Sequence, residues 1–253
     1  MGSLTGMPAG SDRRVLVVVP AWNEAQALPA VLREIAENLP GVGVLVVNDG
    51  SADATSAVAR SHGVGVLDLP FNLGVGGAMR AGFRYALAEG YDVVVQVDAD
   101  GQHDPRDVPR IVELLSETDI VIGARFADEG TYAVRGPRRW AMRVLAGVLS
   151  HLAGTRLTDT TSGFRGAGPR AIRLFAVHYP AEYLGDTIES LVIGLRSGLT
   201  VSQVGVSMRE RSAGTPSQGP VKAAIYLLRA CLALGISLTR RREQLLTAPE
   251  LNS

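Results

Sequence analysis

Residues 93–103 read VVVQVDADGQH, and this stretch decides the fold class. A valine-rich run of strand length is followed at once by two aspartates. Apolar residues on both faces are typical of a parallel strand that helices cover from both sides. Polar groups at the carboxyl end of such a strand lie where open α/β sheets bind their ligands. The stretch therefore predicts a buried strand over 93–98 with a ligand site directly after it.

Similar apolar runs recur along the first half of the chain, at 15–19, 44–48, 64–68 and 119–123. Amphipathic stretches separate them and predict helices at 25–38, 53–61 and 104–117. The last of these begins with Asp104 and Pro105, a helix cap followed by proline at the first helical position. The alternation predicts an α/β fold with a mostly parallel central sheet flanked by helices.

The second half of the chain has a less regular pattern. It predicts helices at 137–153 and 186–197, a strand at 201–208 and a loop at 158–168. No internal repeat or long linker divides this part from the first half. We expect one domain over 13–217, preceded by a disordered segment at 1–12 and followed by an amphipathic helix at 218–242 and a tail at 243–253.

Composition excludes several classes of function. Lysine plus arginine and aspartate plus glutamate are 25 each, so no overall field draws the protein onto a polyanion, and we expect no nucleic-acid partner. The single Cys231 cannot form an internal disulfide, which fits a reducing compartment. The N-terminus lacks a basic segment followed by an apolar core, so no secretory signal is predicted. We expect a cytoplasmic protein.

The segment 221–238 is apolar except for Lys222 and Arg229. Its length is near that of a membrane span, but an arginine at the centre of a span costs roughly 2.5–3.5 kcal/mol. Two interpretations stay open. In the first, the helix lies at the inner face of the cell membrane, with Lys222 and Arg229 against anionic lipid. In the second, it packs on the domain or on a second subunit.

Asp98 and Asp100 are the strongest candidates for chemistry. Two carboxylates that alternate at the end of a buried strand repel each other unless a cation lies between them. Mg²⁺ or Mn²⁺, held also by diphosphate oxygens, would remove that repulsion and stabilise a departing diphosphate. The alternative is a solvated turn in which Asp104 caps the next helix.

Other loops suit a nucleoside or a phosphate. Residues 20–24 and 47–51 follow strands and offer carboxylates, an aromatic ring and helix N-termini. The glycine-rich 74–79 departs from the dinucleotide fingerprint. A cluster of arginines has two interpretations, a phosphate-binding group or a solvent-exposed basic surface; its members are Arg135, Arg138, Arg139 and Arg143. The four histidines show no metal-ligand spacing, and each is interpreted as structural or as a surface residue.

Taken in order, six motifs resemble those of the family 2 glycosyltransferases. Five of them read VPAWNE at 19–24, NDGS at 48–51, NLG at 72–74, DADGQH at 98–103 and GARF at 123–126. The sixth, DTTSGFR at 159–165, together with RSAG at 211–214, resembles the branch that contains dolichyl-phosphate mannose synthase and the polyprenyl-phosphate glycosyltransferases. The resemblance covers about residues 13–217.

The resemblance implies a GT-A nucleotide-sugar-binding fold and an inverting, metal-dependent sugar transfer with a nucleoside diphosphate, GDP or UDP, as leaving group. It assigns the metal, Mg²⁺ or Mn²⁺, to Asp98, Asp100 and Gln102, with Asp100 as a catalytic residue. It assigns the donor to Pro20, Trp22, Glu24, Asp49, Asp98, Gln102 and Arg211. It assigns the phosphate of a polyprenyl-phosphate acceptor to Arg125 and Arg139.

The sequence is also compatible with two other functions. A soluble or polysaccharide hydroxyl acceptor would need a base, for which Asp186 and Glu189 are candidates. The same two residues also fit a helix cap and a capping-box position. A non-catalytic nucleotide-binding module is the third interpretation.

Overall fold

The centre of the molecule is one sheet of seven strands in the computed structural model, which describes residues 13–124, 137–180 and 186–209 and, over 137–144, the backbone alone. The strands are β1 Val15–Ala21, β2 Gly43–Asn48, β3 Gly65–Asp68, β4 Val93–Gln96, β5 Ile120–Ala124, β6 Arg165–Ala167 and β7 Val201–Gly205. Their order across the sheet is β3-β2-β1-β4-β6-β5-β7. All neighbours are parallel except β6, which is antiparallel to both β4 and β5.

The strand order changes direction at β1, and this positions the site. The chain moves outward from β1 through β2 to β3, then returns to place β4 on the other side of β1. The loops after β1 and β4 therefore leave the sheet in opposite directions and open a crevice at its carboxyl edge. The predicted mostly parallel α/β sheet is confirmed.

Seven α-helices are described. They are α1 Leu28–Asn38, α2 Thr55–Ser61, α3 Gly74–Ala88, α4 Val108–Leu114, α5 Pro137–Ala153, α6 Pro169–His178 and α7 Asp186–Arg196. Alternate residues of β1 belong to two separate cores, because successive side chains of a strand point to opposite faces. Leu16 and Val18 pack with residues of α3, α5, α6 and α7, whereas Val15 and Val17 pack with residues of α1, α2 and α4.

The predicted loop at 158–168 is wrong. Residues 165–167 form β6, and α6 follows it directly. The sequence Arg-Gly-Ala has no apolar run, so it gives no strand pattern of its own; it is held by backbone pairing to strands on both sides. Gly166 also lets α4 lie close to β6, because a Cβ there would be 2.4 Å from Cγ2 of Ile111.

The other predicted elements of the described part exist, with ends shifted by a few residues. The helix predicted from Asp104 begins as a 3-10 turn at Pro105–Asp107 and continues as α4. The Asp104 side chain accepts a hydrogen bond from the amide of Arg106, so its predicted role as a cap is confirmed. The segments 1–12, 218–242 and 243–253 lie outside the described residues. Within the described ranges, no helix combines the length and apolarity that crossing a bilayer requires.

Helix α3 packs closely on the sheet through Gly82. A Cβ at this position would lie 2.7 Å from Cγ1 of Val18 on β1. On its other side α3 contacts α6, where the ring of Phe83 lies 5.2 Å from the rings of both Phe175 and Tyr179. This packing fixes the N-terminal end of α3 at the carboxyl edge of the sheet.

We predict opposite effects of alanine at two helical glycines. Gly82→Ala should lower the free energy of unfolding by about 1–3 kcal/mol, because overpacking against Val18 outweighs the gain in helix propensity. Gly147→Ala in α5 is the matched control; among the described residues nothing lies within 4 Å of its Cβ position, so it should stabilise by about 0.5–1 kcal/mol. Urea unfolding measures both. Equal stabilisation by the two substitutions would contradict the packing of α3.

Candidate active site

The loop after β1 is tied to the loop after β2 by side-chain hydrogen bonds. The amide of Asn23 donates to Oγ of Ser51 at 2.9 Å, and Oδ1 of Asn23 accepts from the amide of Ala52 at 2.9 Å. Asn23 has a φ of 56°, a left-handed conformation that asparagine tolerates better than most residues. The preceding residue, Trp22, is 51% exposed.

The predicted donor residues differ in their access to a ligand. Pro20 is buried within β1, where it pairs with Val47, and Glu24 is half-buried in the following loop. Asp49 is buried and its two carboxylate oxygens accept from the amides of Leu73 and Gly74 at 2.7 and 2.8 Å. Asp49 therefore holds the start of α3. Burial raises its pKa, an effect that the two amide hydrogen bonds oppose.

The carboxylates after β4 lie at the crevice between β1 and β4. Asp98 is one-third exposed, whereas Asp100 is buried at 6% exposure. Oδ1 of Asp100 accepts from the amide of Gln102 at 3.0 Å, which closes a tight turn through Gly101. The side chain of Gln102 is half-buried at the end of this turn. The structure thus brings the three predicted metal-binding residues onto one short loop.

Asp186 and Glu189, the two predicted bases, have different environments. Asp186 is half-buried at the first residue of α7, and Glu189 is exposed. Desolvation raises the pKa of Asp186; the nearby guanidinium of Arg165 opposes this increase, and the negative charge of Asp98 adds to it. Cβ of Asp186 lies beside the first turn of α3, 3.1 Å from the position that a Cβ of Gly76 would take. Arg125 and Arg211 lie outside the described residues, as does the side chain of Arg139.

Sequence reasoning assigned no role to several residues that the structure places around Asp98. Gln96 donates from Nε2 to Oδ1 of Asp98 at 2.9 Å, and His103 is buried beside the same carboxylate. Arg165 is buried and donates to backbone oxygens of Ser162, Thr160 and Thr187. The sequence offered one indication, the polar side chain of Gln96 within the apolar run of β4.

The donor set of Asp98 and Asp100 fits a hard divalent cation. Mg²⁺ commonly binds through one or two carboxylates and completes its shell with substrate phosphates and water. Asp98 is open to the crevice, so a diphosphate has access to this carboxylate. Throughout the described residues, no three side chains of His, Cys, Asp or Glu are grouped as a metal site formed by protein ligands alone.

A network of ion pairs connects this loop to α1 and to the end of the described chain. Asp104 accepts hydrogen bonds from the guanidinium of Arg106 and pairs with Arg209 at 2.9 Å. Arg209 also pairs with Glu34 of α1 at 2.7 Å, and its amide donates to the carbonyl of Gln102 at 3.0 Å. The network ties the end of the loop after β4 to α1 and to Arg209.

The comparisons with known proteins identify the family. The family described as Glycosyl transferase family 2 matches residues 16–178, and the chain belongs to it. The chain is 36% identical over 211 residues to an undecaprenyl-phosphate mannosyltransferase of Micrococcus luteus, covering 79% of this chain and 86% of that protein. It is 35% identical over 161 residues to the polyprenol monophosphomannose synthase of Mycolicibacterium smegmatis, covering 60% and 61%. The predicted resemblance to the polyprenyl-phosphate branch is confirmed.

Solved structures support the fold. Glucosyl-3-phosphoglycerate synthase from Mycobacterium tuberculosis, in complex with Mn²⁺, UDP and phosphoglyceric acid, superposes with a TM-score of 0.68 at 22% identity, covering 91% of this chain and 80% of that one. The same enzyme in complex with Mg²⁺ and UDP gives a TM-score of 0.64 at 25% identity, covering 87% and 80%. The predicted GT-A fold is confirmed. Together with the family, it defines this chain as a nucleotide-sugar-dependent glycosyltransferase.

We predict that Asp104 stabilises the fold in a pH-dependent manner. Hydrogen bonds from Arg106, with a contribution from Arg209, hold the pKa of Asp104 well below its usual range. The stabilisation is complete above the unfolded-state pKa of about 3.9 and is lost as pH falls through the lower folded-state pKa. Asp104→Asn should therefore cost about 1–3 kcal/mol at neutral pH, because partial exposure of both arginines limits the effect, and less in acid.

The measurement is urea unfolding of wild type and Asp104→Asn at several pH values between neutrality and pH 3. Asp107→Asn is the matched control in the same turn, since Asp107 accepts one amide hydrogen bond, from Ser207, that asparagine can also accept. A stability difference between wild type and Asp104→Asn that stays constant down to pH 3 would show that the carboxylate charge contributes nothing.

Proposed function

We propose that this enzyme transfers a sugar, with inversion, from a GDP- or UDP-linked donor to a polyprenyl phosphate at the cytoplasmic face of the membrane. The observation that carries the proposal is the pair Asp98 and Asp100 on one loop at the crevice where the strand order changes direction. The acceptor class is proposed from the two relatives, whose names specify undecaprenyl phosphate and polyprenol.

The donor diphosphate and a divalent cation, Mg²⁺ or Mn²⁺, are proposed to bind at Asp98, Asp100 and Gln102. Such a cation supplies charge neutralisation for the leaving diphosphate. Two solved complexes of glucosyl-3-phosphoglycerate synthase contain UDP together with Mn²⁺ or Mg²⁺, which supports this class of cofactor. The carboxylate of Asp100 is already held toward its turn by the amide of Gln102, so its orientation is set before a ligand binds.

The nucleoside is proposed to lie against the loop after β1. Trp22 offers an exposed ring for packing against a base or ribose, and Glu24 offers a half-buried carboxylate. Pro20 and Asp49 are both buried, and we propose that they form the base of this pocket. The hydrogen bonds between Asn23 and the 51–52 backbone and side chain hold this loop in place.

The reaction with a phosphate acceptor needs positioning more than proton transfer. An acceptor phosphate oxygen is already anionic and attacks the anomeric carbon from the face opposite the diphosphate. One carbon–oxygen bond forms while the bond to the leaving diphosphate breaks, and no strong base is required. Arg125 and Arg139 are proposed to bind the acceptor phosphate and Arg211 the donor phosphates, where guanidinium groups neutralise oxyanions.

A hydroxyl acceptor is the second candidate, and one observation favours it. Asp186 is desolvated at the start of α7, and the resulting increase in its pKa makes its carboxylate a stronger base than an exposed aspartate. Glu189 is exposed, so its carboxylate is not desolvated in this way. Under this alternative, Asp186 would remove the proton from the attacking hydroxyl.

The domain organisation is proposed together with this function. The catalytic domain spans 13–217, and the helix at 218–242 provides either peripheral contact with the membrane or a contact between two subunits. The first arrangement would bring the crevice to the surface from which a polyprenyl phosphate must be reached.

The test is transfer of radiolabelled sugar from GDP- and UDP-linked donors to a polyprenyl phosphate in detergent. We predict metal-dependent transfer by wild type and a loss of at least about 100-fold in kcat for Asp100→Ala, because the diphosphate loses a preorganised electrostatic partner. Asp92→Ala is the matched control: Asp92 lies at the opposite, amino end of β4, where it accepts from the amide of Arg14. It should keep near wild-type turnover.

Two results would contradict the proposal. Wild-type turnover by Asp100→Ala would remove Asp100 from the mechanism. Transfer to a hydroxyl acceptor but not to polyprenyl phosphate, abolished by Asp186→Asn, would establish the second candidate instead.

A further inference from the structure

Asp98 is held from two sides by side chains outside the predicted metal-binding set. Oδ1 of its carboxylate accepts from Nε2 of Gln96 at 2.9 Å, and its backbone amide donates to Nδ1 of His103 at 3.0 Å. Because Nδ1 accepts this hydrogen bond, the neutral ring carries its proton on Nε2. That nitrogen lies 3.6 Å from Oδ2 of the same carboxylate. The imidazole therefore accepts a hydrogen bond from the backbone of Asp98 and lies beside its side chain.

The position of His103 is fixed by the 159–165 segment. The imidazole stacks on the ring of Phe164, with centroids 4.7 Å apart and an interplanar angle of 11°. Both rings are buried, at 4% and 0% exposure. Because stacking restricts the imidazole plane, His103 can present its two nitrogens to Asp98 in one geometry.

Gly163 lets the backbone close over the same carboxylate. A Cβ at this position would lie 3.0 Å from Nε2 of Gln96 and 3.3 Å from Oδ2 of Asp98. The segment is anchored by Arg165, whose guanidinium donates to the carbonyls of Thr160 and Ser162 at 2.7 Å each. The DTTSGFR segment therefore forms one wall of the Asp98 site.

We propose that Gln96, His103 and Phe164 are positioning residues that hold the Asp98 carboxylate in one orientation for a divalent cation and the donor diphosphate. This inference rests on the proposed function. A carboxylate has about four acceptor positions, so the single hydrogen bond from Gln96 orients the group and leaves other lone pairs for a cation. Residues that orient a metal ligand in this way commonly change metal affinity 10- to 100-fold when they are replaced.

The orientation matters because Asp98 is one-third exposed. Without the hydrogen bond from Gln96 and the adjacent imidazole, its side chain would sample several rotamers, and binding of metal and diphosphate would have to select one of them. The three positioning residues reduce this loss of side-chain entropy, because Asp98 is already ordered before the ligands bind. Their loss should weaken metal-dependent nucleotide binding in the folded protein, which is distinct from a loss of stability.

The test is calorimetric titration of UDP and of GDP, each with and without Mn²⁺, into the full chain. Gln96→Met keeps the size of the side chain and removes the donor to Asp98. We expect it to weaken Mn²⁺-dependent binding of the preferred diphosphate at least tenfold. The matched control is Gln203→Met on β7, where the glutamine amide bonds to Thr158 instead, through hydrogen bonds of 2.7 and 3.0 Å. It should leave the affinity unchanged.

Two substitutions at His103 test the role of its ring nitrogens. His103→Asn places an oxygen near the position of Nδ1 and can still accept from the amide of Asp98, whereas His103→Leu cannot. We expect the leucine variant to lose affinity and the asparagine variant to retain part of it. Thermal melting of every variant, without ligand, separates stability from affinity, and these variants keep the test available should Gln96→Met fail to fold.

The outcomes distinguish the inference from the function on which it rests. Wild type that binds neither diphosphate in a metal-dependent manner would overturn both. Wild type that binds, with Gln96→Met and His103→Leu binding equally well, would overturn the positioning role alone. An affinity loss that appears equally in Gln203→Met would assign the effect to general destabilisation and would also overturn it.

Discussion

The burial of carboxylates at the carboxyl edge of the sheet is the constraint on which the rest of this structure depends. Asp100 is buried at 6% exposure, and desolvation is the main cause of the increase in the pKa of Asp186, to which the charge of Asp98 adds a smaller part. The guanidinium of Arg165 lowers the pKa of Asp186 by more than the charge of Asp98 raises it. A fold that concentrates negative charge in this way favours binding of a cation, and a donor diphosphate needs one.

The loops at this edge are ordered by hydrogen bonds to side chains before any ligand binds. Asp49 holds the first amides of α3, Asn23 ties the loop after β1 to the loop after β2, and Gln96 with His103 fixes Asp98. The contacts of Asp49 and Asn23 join segments that are 24 and 29 residues apart, whereas Gln96 and His103 hold Asp98 from two and five residues away. Catalysis by positioning and charge neutralisation gains most from such preorganisation, because little rearrangement then accompanies the reaction.

The parallel half of the fold and the location of the site could be predicted from the sequence. The valine-rich runs identify β1, β2, β4 and β5 without reference to tertiary contacts, and the carboxylates after 93–97 identify the crevice. Strand β6 could not be predicted, because Arg165–Ala167 is strand only through pairing with both neighbours.

The positioning residues were hidden for a related reason. His103 was interpreted as structural or as a surface residue, and nothing in the linear sequence shows that Phe164, far along the chain, fixes its ring beside Asp98.

Asp49 is the opposite case, a residue with a predicted role to which the structure adds a second one. Its motif predicted a nucleoside ligand, and that role stays a prediction, while the structure shows that its carboxylate also begins a helix. Sequence motifs show which residues lie at the carboxyl edge of the sheet. The hydrogen-bond partners of each side-chain oxygen are known only from the fold.

The central claim is that the loop after β4 holds a divalent cation together with the donor diphosphate. Anomalous scattering from crystals grown with Mn²⁺ and the preferred nucleoside diphosphate tests it most directly. We predict one strong manganese peak within coordination distance of an Asp98 or Asp100 oxygen and of the diphosphate, with Oδ1 of Asp98 still bonded to Gln96. A bound nucleotide whose diphosphate lies away from these carboxylates, with no manganese between them, would contradict it.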